Sequence, residues 1–410
     1  VQWAINLATT GDEILVATDV YTASVSPVAY INQTVTLKGG YDSTFDEATR
    51  NPSTHPTTLD ARGQGRVIQI TGNISPTIDG FIITGGNADT EALDAGRGGG
   101  IYSKFATPII QNNVITDNIG STSIDTLGYG GGLYLVYASA SALISNNQIL
   151  SNTASTSNLG WGGGLCLYSS DATLIGNAIN NNTASTAASG YGGGLAVMLS
   201  EAALDGNRII NNMASSYGGG LFVYGGAPFT LTNNIIAQNE VDYQGGGIYV
   251  YGSNDFPASG AFINNTIAQN NLGSGGQGVY ATDVTTLTLT NNIIVSHTYG
   301  IYVDGSATVT ADYTLFFGNT SGDTWGPIAS THKVFGDPLF LNPSAWDYHI
   351  RRLSPAIDAG DPASSVPTTD FEGDPRPIDG DKDSAARFDI GADEFDLIND
   401  LYLPLILKNY

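Results

Sequence analysis

The chain has 410 residues and few charged side chains: 14 Lys and Arg stand against 38 Asp and Glu, for a formal net charge of −24. That balance disfavours nucleic acid, whose binding relies on basic groups neutralising phosphates. It disfavours acidic polysaccharide by the same field and favours a divalent cation. No run approaches the ~20 apolar residues of a membrane span, and the 52 glycines show no collagen period.

Val1 to Ala8 reads as a short amphipathic helix, expected to cap a first coil. The start at Val1, without Met, suggests a processed terminus. Strands are expected at Glu13–Ala17, Thr34–Leu37, Val67–Ile70 and Thr77–Ile83, between Gly, Asn and Pro punctuation.

From Gly98 the chain repeats. Tyr129-Gly-Gly-Gly-Leu133-Tyr134 returns at Trp161, Tyr191 and Tyr217, with an early copy at Gly98 and later ones at Gly245, Gly276 and Tyr299. The spacing of roughly 22 to 32 residues is that of a solenoid. A second apolar segment follows, as at Ala142–Ile144. A third opens at an Asn: Asn113, Asn147, Asn177, Asn207, Asn234, Asn265 and Asn292. Five residues further on stand Asn118, Asn152, Asn182, Asn212, Asn239, Asn270 and, in the last coil, His297. Three short strands per turn and two files of Asn describe an all-β parallel β-helix, with amides paired along the axis. Coils stacked at about 4.8 Å give a rod of about 50 Å. The glycines mark corners that need positive φ or close backbone approach. Polar stretches such as 153–160 and 183–190 are expected as surface loops. Cys166 stands alone, allows no internal disulfide and reads as a small strand residue.

After residue 335 the pattern changes. Ser354-Pro-Ala-Ile-Asp-Ala-Gly360 and Asp389-Ile-Gly-Ala-Asp-Glu-Phe395 follow. Here the chain resembles the exported right-handed parallel β-helix repeat proteins of bacteria that carry this C-terminal signature, within the pectate-lyase-like solenoids. The Gly-Gly-Gly and Asn-x-Ile repeats resemble the coils of the same group. The resemblance implies an extracellular or cell-surface location after signal-peptide removal. It leaves activity open, because the group mixes lyases, adhesins and uncharacterised surface proteins. The expected organisation is a β-helix with its N-terminal cap over 1–335, an Asp-rich capping region over 336–395 and an apolar terminal strand over 396–410.

Asp379, Asp381 and Asp383, with Asp389, have spacing suited to a loose calcium loop; a solvated acidic turn has the same pattern. An EF-hand is not expected, since Ser384 and Ile390 stand where it needs Gly and Glu. For a polysaccharide lyase or hydrolase, Asp171, Glu201 and Asp205 near Arg208 are the carboxylates to watch, and surface charges on turns are the plain alternative. Tyr102, Tyr134, Phe222, Tyr249, Tyr280 and Tyr302 form an outward stripe, expected as a β-surface stack or as a platform for glycan or protein. Tyr129, Trp161, Tyr191 and Tyr217 form a second file.

In the terminal strand Leu401, Leu403, Leu405 and Leu407 share a face that could complete the sheet edge of another molecule. The expectation is a non-catalytic extracellular structural protein that self-associates. A polysaccharide lyase and a glycan-binding adhesin are the alternatives, with self or glycan as partner and Ca²⁺ as the one possible cofactor.

Overall fold

A computed structural model describes every residue except 92, 139–141, 227, 271–274, 363–366 and 397–410. The chain winds as a parallel β-helix. Sheet A has 12 strands from Glu13–Ala17 to Ile328–Thr331, and sheet B has 12 from Asp19–Tyr21 to Val334–Phe335. Sheet C has 11, from Ala29–Ile31 to Gly322–Trp325.

Equivalent apolar residues stack coil on coil. Leu133, Leu165, Leu195, Leu221, Ile248, Val279 and Ile301 pair in sequence along sheet C. Ile149, Ile179, Ile209, Ile236, Ile267 and Ile294 do so along sheet B. All are buried, and the register follows because a shift by one residue would turn this apolar set outward.

Both Asn files form ladders at buried corners. Asn182 Nδ2 donates to Ile149 O at 2.8 Å and to Asn212 Oδ1 at 3.0 Å, while its own Oδ1 accepts from Asn152 N and Nδ2. The residue before each ladder Asn is left-handed, as at Asn146, Asn181 and Asn233. This suits the Asn-Asn and Gly-Asn pairs of the first file, while the second file also places Asp117, Ser151, Gln238 and Gln269 there. The glycine triplets divide their work. Gly130 has φ +58°, whereas a Cβ on Gly131 would lie 2.4 Å from Thr153 O and one on Gly132 would lie 2.7 Å from Gly164 O.

Two expectations change. The stretches 153–160 and 183–190 are not plain loops: Thr153–Ser155 and Thr183–Ser185 lie in a five-stranded sheet, and Gly160–Trp161 and Gly190–Tyr191 in a three-stranded one. Neighbouring coils of nearly equal length let their backbones pair. The region after residue 335 lies along the outer face of sheet B. Phe340, Tyr348, Ile350, Ala356, Ile390, Ala392 and Phe395 bury against Ile210, Ile235, Ala237, Ala268, Ile293, Val295 and Leu315. Asn264 Nδ2 donates to Asp389 O at 2.9 Å, and Gly391 N donates to Asn291 O at 2.8 Å.

At the N-terminal end the helix Gln2–Leu7 covers the first coil. Ile5 is buried, and Gln33 Nε2 donates to Ile5 O and Ala8 O. Gln2 Oε1 accepts from Tyr30 N and thereby occupies the sheet edge. At the other end Gly322–Trp325, Ile328–Thr331 and Val334–Phe335 are the last strands of their sheets among the described residues. Trp325 is 52% exposed and Phe335 62%.

Candidate functional site

The outer face of sheet C carries three files of aromatic residues, because equivalent positions of successive coils lie directly above one another. The middle file is the expected stripe, yet it is not a surface. Tyr102, Tyr134, Phe222, Tyr249 and Tyr280 are buried, and Tyr302 is half-buried. The neighbouring file covers it: Tyr129 packs on Tyr134, Tyr191 on Phe222 and Tyr217 on Tyr249, at centroid distances of 5.6, 5.3 and 4.6 Å. Burying rings against rings removes apolar area from water, which outweighs leaving them as a platform. Burial pushes the Tyr134 and Tyr249 hydroxyls well above their ordinary pKa. At the N-terminal end of the file the buried Arg66 guanidinium lies 4.5 Å from the Tyr102 ring centroid.

The exposed aromatic surface belongs to the outer files. Trp161, Tyr191 and Tyr217 form one wall of a groove, with centroids 5.4 and 5.7 Å apart. Tyr224 and Tyr251, 5.4 Å apart, form the other wall with Met198, over a floor of Phe222 and Tyr249. The groove encloses about 400 Å³. No ionisable side chain other than tyrosine lines it. Its five wall aromatics are half-buried. Trp161 and Tyr191 stack within 9° of parallel, and Tyr224 and Tyr251 within 13°. Ring faces therefore meet each other along the axis and ring edges meet solvent. The Tyr191, Tyr217, Tyr224 and Tyr251 hydroxyls and the Trp161 indole N–H make no hydrogen bond within the described protein, and none is a buried unpaired atom. They reach water.

A second cavity, of about 350 Å³, lies in the C-terminal region. It is lined by Asp347, His349, Arg351, Glu372, Asp374, Asp393 and Glu394 among others. Its carboxylates act mainly as backbone clamps. Asp393 Oδ2 accepts from Ile350 N at 2.7 Å, and Glu394 accepts from Ile378 N and Asp389 N. Burial raises Asp393 to about 7, against the pull of His349. Burial likewise raises Glu394 to about 7, against Arg376, whose Nη1 lies 3.5 Å from it. Burial alone would lower His349, but Asp393, Glu372 and Asp347 outweigh it and raise the imidazole to about 9.

The predicted acidic loop is rearranged. Asp379 and Asp381 converge, but with Asp358: one carboxylate oxygen from each lies within 4.8 Å of the others. Asp383 instead pairs with Arg387 at 3.3 Å. Asp389 is fully buried and accepts from Asp358 N and Phe395 N, both at 2.7 Å. A buried acceptor so engaged has turned away from a surface loop. Asp379 Oδ1 is buried with no hydrogen-bond partner, and among the described residues no Lys or Arg forms an ion pair with the three carboxylates. A hard dication fits that donor set. The sequence held a signal for Asp358 in the Ala-Ile-Asp-Ala-Gly stretch, but nothing placed it beside residue 379.

A family model described as a right handed beta helix region matches residues 53–260 and 131–316. The chain belongs to the right-handed β-helix family. Among solved structures, this β-helix is similar to one titled "Crystal structure of pectate lyase Pel9A", at a TM-score of 0.45 and 11% identity over 96% of this chain and 90% of that one. That likeness carries no argument about activity. A search of curated proteins gave no match.

The other sequence candidates do not converge on one centre. Glu201 N donates to Asp171 Oδ1 at 2.9 Å, Asp205 approaches Asn233, and Arg208 donates to Trp346 O. His297 is a rung of the second ladder: its Nε2 lies 3.2 Å from Asn270 Nδ2, and burial lowers its pKa to about 3. Cys166 is buried, and burial raises its thiol pKa. Leu401, Leu403, Leu405 and Leu407 lie outside the described residues.

Proposed function

We propose that the protein is a non-catalytic glycan-binding protein of the cell exterior. The groove walled by Trp161, Tyr191, Tyr217, Tyr224 and Tyr251 carries this reading. It is concave, uncharged and edged with unpaired hydroxyl and N–H groups, the mixture that sugar rings and their hydroxyls require. A lyase would need a basic residue at the scissile bond, and the groove lining contains no Lys, Arg or His. The C-terminal signature supports export by resemblance alone. A calcium ion held by Asp358, Asp379 and Asp381 would tie the C-terminal region to itself, in a structural role.

Retention on immobilised polysaccharides tests the reading, with release of sugar products followed in parallel. Retention lost in Trp161→Ala, with no product formed, is the expected result. Retention unaffected by that change, or steady product release, would overturn it.

The last coil, whose outer edge pairs with no other strand among the described residues, favours a second reading, self-association. Exposed Trp325 and Phe335 lie on its strands Gly322–Trp325 and Val334–Phe335. The segment 401–407 of a neighbouring copy is the proposed donor. Assemblies seen by electron microscopy that survive deletion of 397–410 would exclude the tail from that role.

A further inference from the structure

We infer that the groove selects one class of glycan: an unbranched chain of neutral pyranoses with equatorial hydroxyls, lying parallel to the helix axis and bonded by a ladder of phenol hydroxyls. The inference rests on the glycan reading above and adds the ligand's charge, direction and mode of contact.

Direction follows from the walls. Their rings repeat at 5.4 and 5.7 Å on one side and 5.4 Å on the other, once per coil. An extended pyranose chain advances by a similar length per sugar, so a chain along the axis meets the same groups at each residue. A chain laid across the coils would meet no such repeat.

Charge follows from the surroundings. Between Lys104 and Lys333 the only Lys or Arg is Arg208, on sheet B, where it donates to Trp346 O. The net charge of −24 adds a repulsive field for anions. A uronate chain would therefore enter with uncompensated carboxylates, whereas a neutral chain brings only hydroxyls.

The mode of contact follows from ring orientation. Sugar-binding aromatics that stack need an exposed face. Here the faces of Trp161 and Tyr191, and of Tyr224 and Tyr251, are turned toward each other. What the ligand meets is ring edges and the unpaired Tyr191, Tyr217, Tyr224 and Tyr251 hydroxyls. Equatorial sugar hydroxyls, splayed to both sides of an extended chain, reach both walls at once. Removing a hydroxyl while keeping its ring should then weaken binding, which face stacking would not predict.

Titration calorimetry with cello-oligosaccharides of two to six sugars, and with polygalacturonate in EDTA, tests this on the whole chain. The wild type should bind cellohexaose saturably and at least tenfold more tightly than cellobiose, and should not bind polygalacturonate. The double variant Tyr224→Phe/Tyr251→Phe should lose at least tenfold in affinity for cellohexaose, with circular dichroism and melting unchanged. Affinity unchanged in that variant overturns the hydroxyl ladder. Polygalacturonate binding that Trp161→Ala abolishes overturns the neutral class while the glycan reading survives. If neither saccharide class binds in a manner sensitive to Trp161→Ala, the glycan reading falls with the inference.

Discussion

Replacing Asp393 by Asn should stabilise the protein by an amount that grows from about pH 4 to pH 7 and is full above that. Asp393 is 7% exposed, and burial raises its pKa from the ordinary 3.8 to about 7. Between those values the folded chain holds a proton that the unfolded chain has released, so this group's contribution is fully present below pH 3.8 and is lost as pH rises through 7. At 1.36 kcal/mol per pH unit the window amounts to roughly 4 kcal/mol, an upper figure because the cavity beside Asp393 admits water. Asn keeps the volume and the oxygen that accepts from Ile350 N. The variant should therefore exceed the wild type by about 2–4 kcal/mol at pH 8 and match it near pH 4. His297 complicates the absolute profile. Its pKa is lowered from 6.5 to about 3, so its contribution is present above 6.5 and lost as pH falls. The difference between wild type and variant cancels that opposing slope. Urea unfolding from pH 4 to 8.5 supplies the difference, and hydrogen exchange in peptides covering 347–350 and 388–395 localises it. A variant less stable than the wild type at pH 8, or a difference independent of pH, would refute the reasoning.

Asn182→Ala should cost about 3–5 kcal/mol in urea unfolding, since it strands the Ile149 carbonyl and the amide groups of Asn152 among buried neighbours. His297→Asn should gain about 1–2 kcal/mol at pH 7, because the buried His297 Nδ1 has no partner and Asn restores the rung. That gain should grow as pH falls from 6.5 toward 3, as melting curves would record. Calcium at one hundred times its dissociation constant should raise stability by about 2.7 kcal/mol, an effect absent in Asp379→Asn/Asp381→Asn; calorimetry with and without EDTA measures it. Gly131→Ala should lower the melting temperature by several degrees, the consequence of at least ~2 kcal/mol of backbone displacement around Thr153 O.

The repeats by themselves determined the coil. Gly-Gly-Gly-Leu, Asn-x-Ile and the second Asn recur at fixed offsets, and each offset maps to a corner or an inward strand position. Stacked coils convert a one-dimensional period directly into parallel pairing, so Leu133 over Leu165 and Asn152 over Asn182 were legible from spacing. Contacts that run sideways have no such period. Alternation placed Tyr134 on the outward side of its strand, but only the folded chain shows Tyr129 and its equivalents leaning over that file and leaving the groove between Tyr217 and Tyr251. Ile235 and Ala237 lie on the outer face of sheet B, where the repeat calls for nothing apolar. Its cover comes from Phe340 to Phe395, a hundred and more residues later. The absence of a repeat in the C-terminal region likewise hid Asp358 from Asp379 and the burial of Asp389. The sequence determined what repeats. The tertiary structure decided which outward residues meet a second layer and which are left to meet a ligand, because burial of those faces depends on where distant, non-repeating chain comes to rest.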